Sequence, residues 1–234
     1  HIQHEFVQAE RELLGRSDDA QLTSMAGYAG GTKTGSKGRV CYHNSQRVAD
    51  YGALGHGEVV GISLPSDKDV VNFSKVYFSL FDPRTKGALI TCGGPWLEQL
   101  VCAICWIHAS NSLAHELYNI LIPDRVDPQD RGGEYRSLIG LPGGVQHAAY
   151  DKIVEAAQEA GFSLKEGQGN DPDTLGQRLV YVYDTAQFPF YQAEVYHQYH
   201  NDFQSPAYGK KYNMLADLAF EDGRLKPTGC PDRV

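Results

Sequence analysis

The chain has 234 residues, of which 41% are hydrophobic, and this is enough apolar sequence for the core of a single domain. Its formal net charge of -8 at pH 7 argues against a nucleic-acid-binding surface. The sequence has no apolar run of about 20 residues that predicts a membrane span, and no segment resembles a signal peptide.

The opening segment HIQHEFVQAERELLG is predicted to be a helix that ends at Gly15. Its apolar residues recur at helical spacing, at Ile2, Phe6, Ala9 and Leu13. No Ser, Thr, Asp or Asn precedes them as an N-cap, so we expect this helix to begin upstream of the printed sequence.

The following segment, LTSMAGYAGGTKTGSKG, is rich in Gly, Ser and Thr and is predicted to be a loop. It does not match a phosphate-binding loop, which needs a Gly-Lys-Ser/Thr ending. GEVVGISL is then predicted to be a strand. DVVNFSKVYFSLF is predicted to be a helix with one apolar stripe, formed by Val70, Phe73, Tyr77, Leu80 and Phe81.

In the second half, YRSLIGL and RLVYVYD are predicted to be strands, and HAAYDKIVEAAQEAG a helix that ends at Gly161. Its inward face is predicted to be Tyr150, Ile153, Val154 and Ala157. From about Thr185 the chain is predicted to be loop-rich, with one short helix near residues 194–200. Helices and strands mix without strict alternation, which indicates an α+β fold.

Residues 88–123 differ in composition from the rest of the chain. They contain no Lys or Arg, although the chain has 21, and they hold both tryptophans and three of the five cysteines. The apolar part is too short to span a bilayer. We interpret the chain as one domain, 1–234, with an atypical segment at 88–123. This segment is interpreted as a translated intron or a gene-model error, and the alternative is a true insertion. A further alternative is that the segment forms a buried helix.

The odd number of cysteines favours reactive thiols in a reducing compartment over a disulfide framework. Cys102 and Cys105 have the spacing of a redox or zinc half-site, but they lie inside an apolar run without a second half-site. A second set, Glu194, His197 and His200, would share one helical face and is an alternative metal site. No metal is predicted, because packed or surface histidines explain this spacing more simply.

Two further residues are candidates for acid and binding roles. Glu58 lies at the mouth of a predicted strand between glycines and apolar residues, where desolvation would raise its pKa and suit a general acid. The competing interpretation, which this stretch alone favours, is an ordinary strand-end carboxylate in water. Tyr135 follows a glycine turn and is predicted to begin a strand, which would hold its hydroxyl rigidly.

Taken together and in this order, GYAGG, GHGEVV, DxGxxYRS and AEVYHQ resemble the motifs of the A-type peptide methionine sulfoxide reductase family. The resemblance runs from the start to about Gln204, apart from 88–123. It implies a ferredoxin-like two-layer α/β sandwich, a monomer without cofactor, and thiol-dependent reduction of the S-epimer of methionine sulfoxide, in oxidised proteins or free. It also implies thioredoxin as the reductant. The ending GRLKPTGCPD is reminiscent of the algal and plant-like branch, and the compartment is expected to be cytoplasm or plastid.

The resemblance also assigns roles to individual residues. Tyr28 and Tyr135 match the tyrosines that hold the sulfoxide oxygen, and Glu58 matches the acid that protonates it. Asp130 matches a carboxylate that polarises the site. A non-catalytic protein that keeps this pocket and binds oxidised methionine is the alternative function.

The cysteines match the family only in part. The nucleophile of its Gly-Cys-Phe-Trp motif is expected just upstream of His1, so residues 1–234 are expected to be inactive on their own. Cys41 resembles a non-catalytic position. Cys230, in a tail rich in Gly and Pro, is the candidate resolving thiol, with an incidental cysteine as the alternative.

Overall fold

The computed structural model describes residues 2–43, 47–80, 131–201 and 207–231. The segment 88–123, Phe81 and Asp130 lie outside these residues. The helices of the described ranges are α1 (Ile2–Leu14), α2 (Asp67–Ser79), α3 (Tyr150–Glu159), α4 (Lys210–Asn213) and α5 (Leu215–Glu221). The strands are β1 (Met25–Ala29), β2 (Gly57–Gly61), β3 (Leu138–Leu141), β4 (Ser163–Glu166), β5 (Leu179–Asp184) and β6 (Tyr191–Gln192).

The strands form two small sheets. One is antiparallel in the order β2-β1-β6, and the other is parallel in the order β3-β5-β4. The α+β prediction is therefore confirmed, whereas a ferredoxin-like sandwich is not. None of the helices in the described ranges is both long and apolar enough to cross a membrane.

The main core lies between the parallel sheet and the first three helices. Helix α1 contributes Phe6, whose ring meets the edge of the Phe73 ring from α2 at 5.8 Å. Helix α3 contributes Ile153, which is completely buried. The predicted faces of these helices are thus largely correct, but Leu13 at the end of the first stripe is 47% exposed.

One buried arginine connects the two sheets. Arg136 follows a 3₁₀ turn and donates hydrogen bonds to the Tyr183 hydroxyl of β5 at 2.8 Å and to the carbonyls of Gly30 and Gly55 at 2.9 Å. Gly30 follows β1 and Gly55 precedes β2, so one guanidinium fixes the ends of the antiparallel sheet against the parallel one. Because a guanidinium has five donors in a rigid plane, it suits this bridging position.

The structure corrects three predictions of local structure. Residues 25–29, predicted to be part of a loop, form β1. Residues 194–200 hold only a 3₁₀ turn, Val195–His197, instead of a short helix. The loop-rich C-terminal region contains α4 and α5, which pack around Tyr212 and Leu215 in a second apolar cluster.

Candidate functional site

Tyr28 and Glu58 are direct partners across the antiparallel pair β1–β2. Opposite residues of such a pair project to the same side of the sheet. The Tyr28 side chain is buried, with 2% exposure, whereas Glu58 is exposed to solvent. Of the two interpretations of this glutamate, the structure supports the solvent-exposed carboxylate, and Glu58 lies at the rim of a buried tyrosine cluster.

Tyr51 is the residue that the sequence analysis missed. It is completely buried, its ring stacks on that of Tyr28 at 4.7 Å, and its hydroxyl donates to Glu58 Oε1 at 3.0 Å. The same hydroxyl has a side-chain hydrogen bond with Tyr135. Tyr51 thus joins Tyr28, Glu58 and Tyr135, the three residues predicted to hold or protonate the sulfoxide oxygen.

Tyr135 does not begin a strand, contrary to the prediction. It ends the 3₁₀ turn Gly133–Tyr135, and β3 starts only at Leu138. Its position is fixed instead by the neighbouring Arg136, whose guanidinium bridges the sheets. The predicted partner Asp130 lies outside the described residues.

Glu194 supplies the acceptor for the other tyrosine. The Tyr28 hydroxyl donates to Glu194 Oε2 at 2.8 Å, and the backbone N–H of Tyr42 donates to Oε1 at 2.9 Å. Glu194 is 3% exposed. Any other acceptor must therefore compete with Glu194 for the hydroxyl proton of Tyr28.

The last residue of the AEVYHQ motif has a structural task. The side-chain amide of Gln198 accepts from the N–H of Ala26 at 2.8 Å and donates to its carbonyl at 2.9 Å. It also accepts from Gln3 of α1 at 3.1 Å. The motif therefore anchors both the strand that carries Tyr28 and the hydroxyl of Tyr28 itself.

Both buried tyrosines stay protonated at physiological pH. Burial raises the pKa of Tyr28 far above its usual value, and the charge of Glu194 raises it further. Burial does the same to the pKa of Tyr51, with Glu58 as the nearest charge. Each hydroxyl consequently remains a neutral hydrogen-bond donor, which is what an oxygen acceptor requires.

Cys41 and Cys230 form a disulfide, with their Cα atoms 5.7 Å apart and a sequence separation of 189. The sequence favoured one or two reactive thiols over disulfides, and for this pair of cysteines the structure shows a disulfide instead. The tail is also packed rather than loose, because Arg224 donates to the carbonyl of Leu22 at 2.7 Å and Cys230 is 8% exposed. The resolving role of Cys230 stays a prediction.

The alternative metal set of Glu194, His197 and His200 does not assemble. Within the described ranges, only one group of three potential ligands places its atoms within 4.8 Å of one another: Cys41, Glu194 and Cys230. His197 instead packs its ring on Tyr42 at 4.1 Å, and burial lowers its pKa to about 4.

His56, another histidine that could be considered as a metal ligand, has no ring nitrogen left for a metal. Its Nδ1 accepts from the N–H of Gly31 at 3.2 Å, and its Nε2 lies 2.7 Å from the carbonyl of Lys33. Both ring nitrogens of this completely buried histidine are thus used by the backbone. Burial lowers its pKa, which keeps the ring neutral.

The chain was compared with protein-family models, with curated proteins and with solved structures, and none of the three comparisons found a match.

Proposed function

We propose that this protein binds the S-epimer of methionine sulfoxide and takes part in its thiol-dependent reduction, in oxidised proteins or as the free amino acid. The observation that supports this most strongly is the hydrogen-bonded group of Glu58, Tyr51 and Tyr135 beside the stacked Tyr28. A sulfoxide oxygen is a strong hydrogen-bond acceptor, and in this proposal it takes the place of Glu58 and Glu194 as the acceptor of the neutral hydroxyls of Tyr51 and Tyr28.

In the proposed reaction, a cysteine thiolate attacks the sulfur of the sulfoxide while the oxygen rests on the tyrosine hydroxyls. This attack forms a bond between the two sulfurs. Protonated Glu58 and solvent each give a proton to the oxygen, and the S–O bond breaks with loss of water. A water molecule then attacks the cysteine sulfur, the S–S bond breaks, and the cysteine is left as a sulfenic acid with one proton released to solvent. The substrate leaves as the sulfide. By resemblance, the attacking cysteine is assigned to a position upstream of His1.

The second half of the reaction restores the thiol. A second thiol attacks the sulfenic acid, water leaves, and the resulting disulfide is reduced by a dithiol protein of the thioredoxin kind. Cys230 is the proposed second thiol. This role requires that its bond to Cys41 be open, so the disulfide described above is a resting, oxidised form of the pair.

A second candidate function is binding of oxidised methionine without turnover. The observation that favours it is that both cysteines of the described residues are joined in one disulfide, and a disulfide cannot attack a sulfoxide. This alternative uses the same tyrosines and the same substrate. The two candidates differ only in whether a reducing thiol reaches the bound sulfoxide.

The deciding experiment is a turnover assay on protein expressed from the complete reading frame, with dithiothreitol and each epimer of a methionine sulfoxide amide. We expect reduction of the S-epimer alone. Glu58→Gln keeps the shape but removes the proton, and such losses lower rates by about two to four orders of magnitude. Glu166→Gln, at an exposed carboxylate of β4, is the matched control.

Binding of each epimer by residues 1–234 is measured in parallel, by chemical-shift changes in NMR spectra. Binding without turnover of the complete product would favour the second candidate. Failure to bind either epimer would exclude both, and wild-type turnover in the Glu58→Gln variant would remove Glu58 from the mechanism.

A further inference from the structure

Two sulfurs and a carboxylate meet in the interior beside the tyrosine cluster. The Sγ atoms of Cys41 and Cys230 and an oxygen of Glu194 lie within 4.8 Å of one another. All three side chains are buried, with exposures of 0%, 8% and 3%. Two cysteines and a carboxylate in one buried cluster are a donor set that suits a borderline-soft divalent metal ion.

The carboxylate of Glu194 has no cationic partner in the part of the chain that the structure describes. Its two recorded hydrogen bonds come from neutral donors, the Tyr28 hydroxyl and the Tyr42 N–H. The completely buried Glu10, by contrast, has a direct ion pair with Arg16. A buried carboxylate without a cation is costly, so a positive ion bound beside Glu194 would offset a real desolvation penalty.

We propose that the Cys41–Cys230 pair, once reduced, forms a Zn²⁺ site together with Glu194. Reduction uses an external dithiol, which gives two electrons and two protons to the disulfide and becomes a disulfide itself. The S–S bond of the protein breaks and two thiols form. Zn²⁺ then displaces their two protons into solvent and binds both thiolates.

The distances fit this exchange. In a tetrahedral zinc site with Zn–S of about 2.3 Å and Zn–O of about 2.0 Å, the ligand atoms lie about 3.5–3.8 Å apart. The atoms of the cluster are already within 4.8 Å of one another, so the site forms when the two sulfurs separate and the carboxylate oxygen lies within about 3.5 Å of each of them. Three protein ligands leave the fourth position for water.

The surroundings of Glu194 hold it as a metal ligand is commonly held. The Tyr28 hydroxyl and the Tyr42 N–H fix the two carboxylate oxygens, each by one hydrogen bond. Such outer-shell donors orient a ligand and leave its remaining lone pairs for the ion. The inference shares Cys230 and Tyr28 with the proposed function but does not rest on it, because zinc binding requires neither Glu58 nor a sulfoxide.

The test starts from the chain with Cys92, Cys102 and Cys105 replaced by serine, since the CAIC spacing could itself bind zinc. This protein is reduced with a phosphine and titrated with Zn²⁺ against a chromophoric chelator, and an unreduced sample is titrated in parallel. We expect one equivalent of Zn²⁺ in the reduced sample and none in the oxidised sample. Equal uptake by both, or no uptake by either, would overturn the proposal.

Two variants and one spectrum assign the ligands. Cys230→Ser and Glu194→Gln should each weaken binding by at least the roughly 10–100-fold that loss of an outer-shell partner costs. Glu221→Gln, at an exposed carboxylate of α5, should leave binding unchanged. X-ray absorption of the reduced, zinc-loaded chain needs no further variant. It should show two sulfur neighbours, and a shell of light atoms alone or of one sulfur contradicts the assignment.

Discussion

Two buried tyrosines of this protein donate to buried carboxylates, but their surroundings differ in charge. The Tyr183 hydroxyl donates to Asp171 at 2.6 Å and accepts from Arg136 at 2.8 Å, so a cation completes the group. The Tyr28 hydroxyl donates to Glu194 at 2.8 Å with neutral donors and a disulfide beside it. The first arrangement satisfies every partner and serves the fold, whereas the second leaves a negative charge uncompensated, which is typical of a functional site.

The largest loss of stability is expected when Arg136, the cation beside Tyr183 and Asp171, is replaced. Arg136 is 3% exposed, and Arg136→Met would leave four oxygens without their donor, the Tyr183 hydroxyl and the carbonyls of Gly30, Gly55 and Gly133. Each buried group left without its partner costs about 1–3 kcal/mol, so we expect a total loss of about 3–5 kcal/mol. Urea unfolding measures the loss of free energy of unfolding.

The matched control is Arg11→Met, which removes a partly exposed pair with Asp19. Pairs of this kind contribute about 0–1 kcal/mol. If the two substitutions cost the same, the buried arginine does not stabilise the junction of the sheets, and the contrast between the two tyrosine groups is lost.

The next largest loss of stability is expected when the disulfide beside Tyr28 and Glu194 is reduced. Reduction of Cys41–Cys230 should lower the free energy of unfolding by about 2–4 kcal/mol, because the bond closes a loop with a sequence separation of 189. Unfolding is measured with and without reductant. The Cys230→Ser variant is the control, since reductant should not change its stability; an equal response in both would show that another thiol is responsible.

A smaller effect comes from the two hydroxyls themselves. Tyr183→Phe leaves both Asp171 and Arg136 short of a partner, whereas Tyr28→Phe removes one donor from Glu194. Each unsatisfied buried group costs about 1–3 kcal/mol. We therefore expect Tyr183→Phe to be the more destabilising of the pair in thermal or urea unfolding. The reverse order would mean that Glu194, not Asp171, is the structural carboxylate.

The smallest effect is pH-dependent. Burial lowers the pKa of His197 to about 4. Between about pH 6.5 and pH 4, His197 is therefore protonated in the unfolded chain but neutral in the folded chain. This contribution to stability is complete above pH 6.5 and is lost as the pH falls. The loss should be about 1 kcal/mol between pH 7 and pH 5 for this partly exposed ring.

The non-titrating His197→Gln variant isolates this contribution. Its stability, measured by urea unfolding at pH 7 and pH 5, should fall less than that of the wild type. Parallel losses in the two proteins would assign the acid sensitivity to other groups, such as His56 and His200, whose pKa values burial also lowers.

Regular elements with a strong apolar period were predictable from the sequence, and irregular ones were not. Helices α1, α2 and α3 follow their stripes, and β2 and β5 their apolar runs. Strand β1 was missed because its glycines suggested a loop. Gly27 is small for a packing reason: a Cβ there would collide with the Phe190 ring and the Tyr191 carbonyl.

The second missed region carried a signal that periodicity could have revealed. Tyr212, Leu215 and Ala219 are buried at helical spacing in α4 and α5, inside a stretch that looked loop-rich. The apolar pattern repeats over only a short stretch, because the helices have only 4 and 7 residues. Such brief elements depend on tertiary packing for their stability, which a local pattern does not report.

The candidate site was predictable in its parts but not in its connections. Tyr28, Glu58 and Tyr135 were named from motifs, and the structure joins them. Tyr51 had no motif of its own. Glu194 accepts a hydrogen bond from the hydroxyl of Tyr28, which is 166 positions away in the sequence. Neither local propensity nor spacing encodes a pairing over such a separation. The Cys41–Cys230 bond was missed for the same reason.

Gln198 has a consequence for the behaviour of the protein in concentrated solution. Strand β6 pairs with β1 at Gly27 and Tyr28, and the N–H of Ala193 still donates to the carbonyl of Ala26 at 3.0 Å. The side-chain amide of Gln198 accepts from the N–H of Ala26 and also donates to that carbonyl. A single side chain thus satisfies the N–H of Ala26 where the strand pairing ends, and it closes an edge that would otherwise be open to pairing with another molecule and to aggregation.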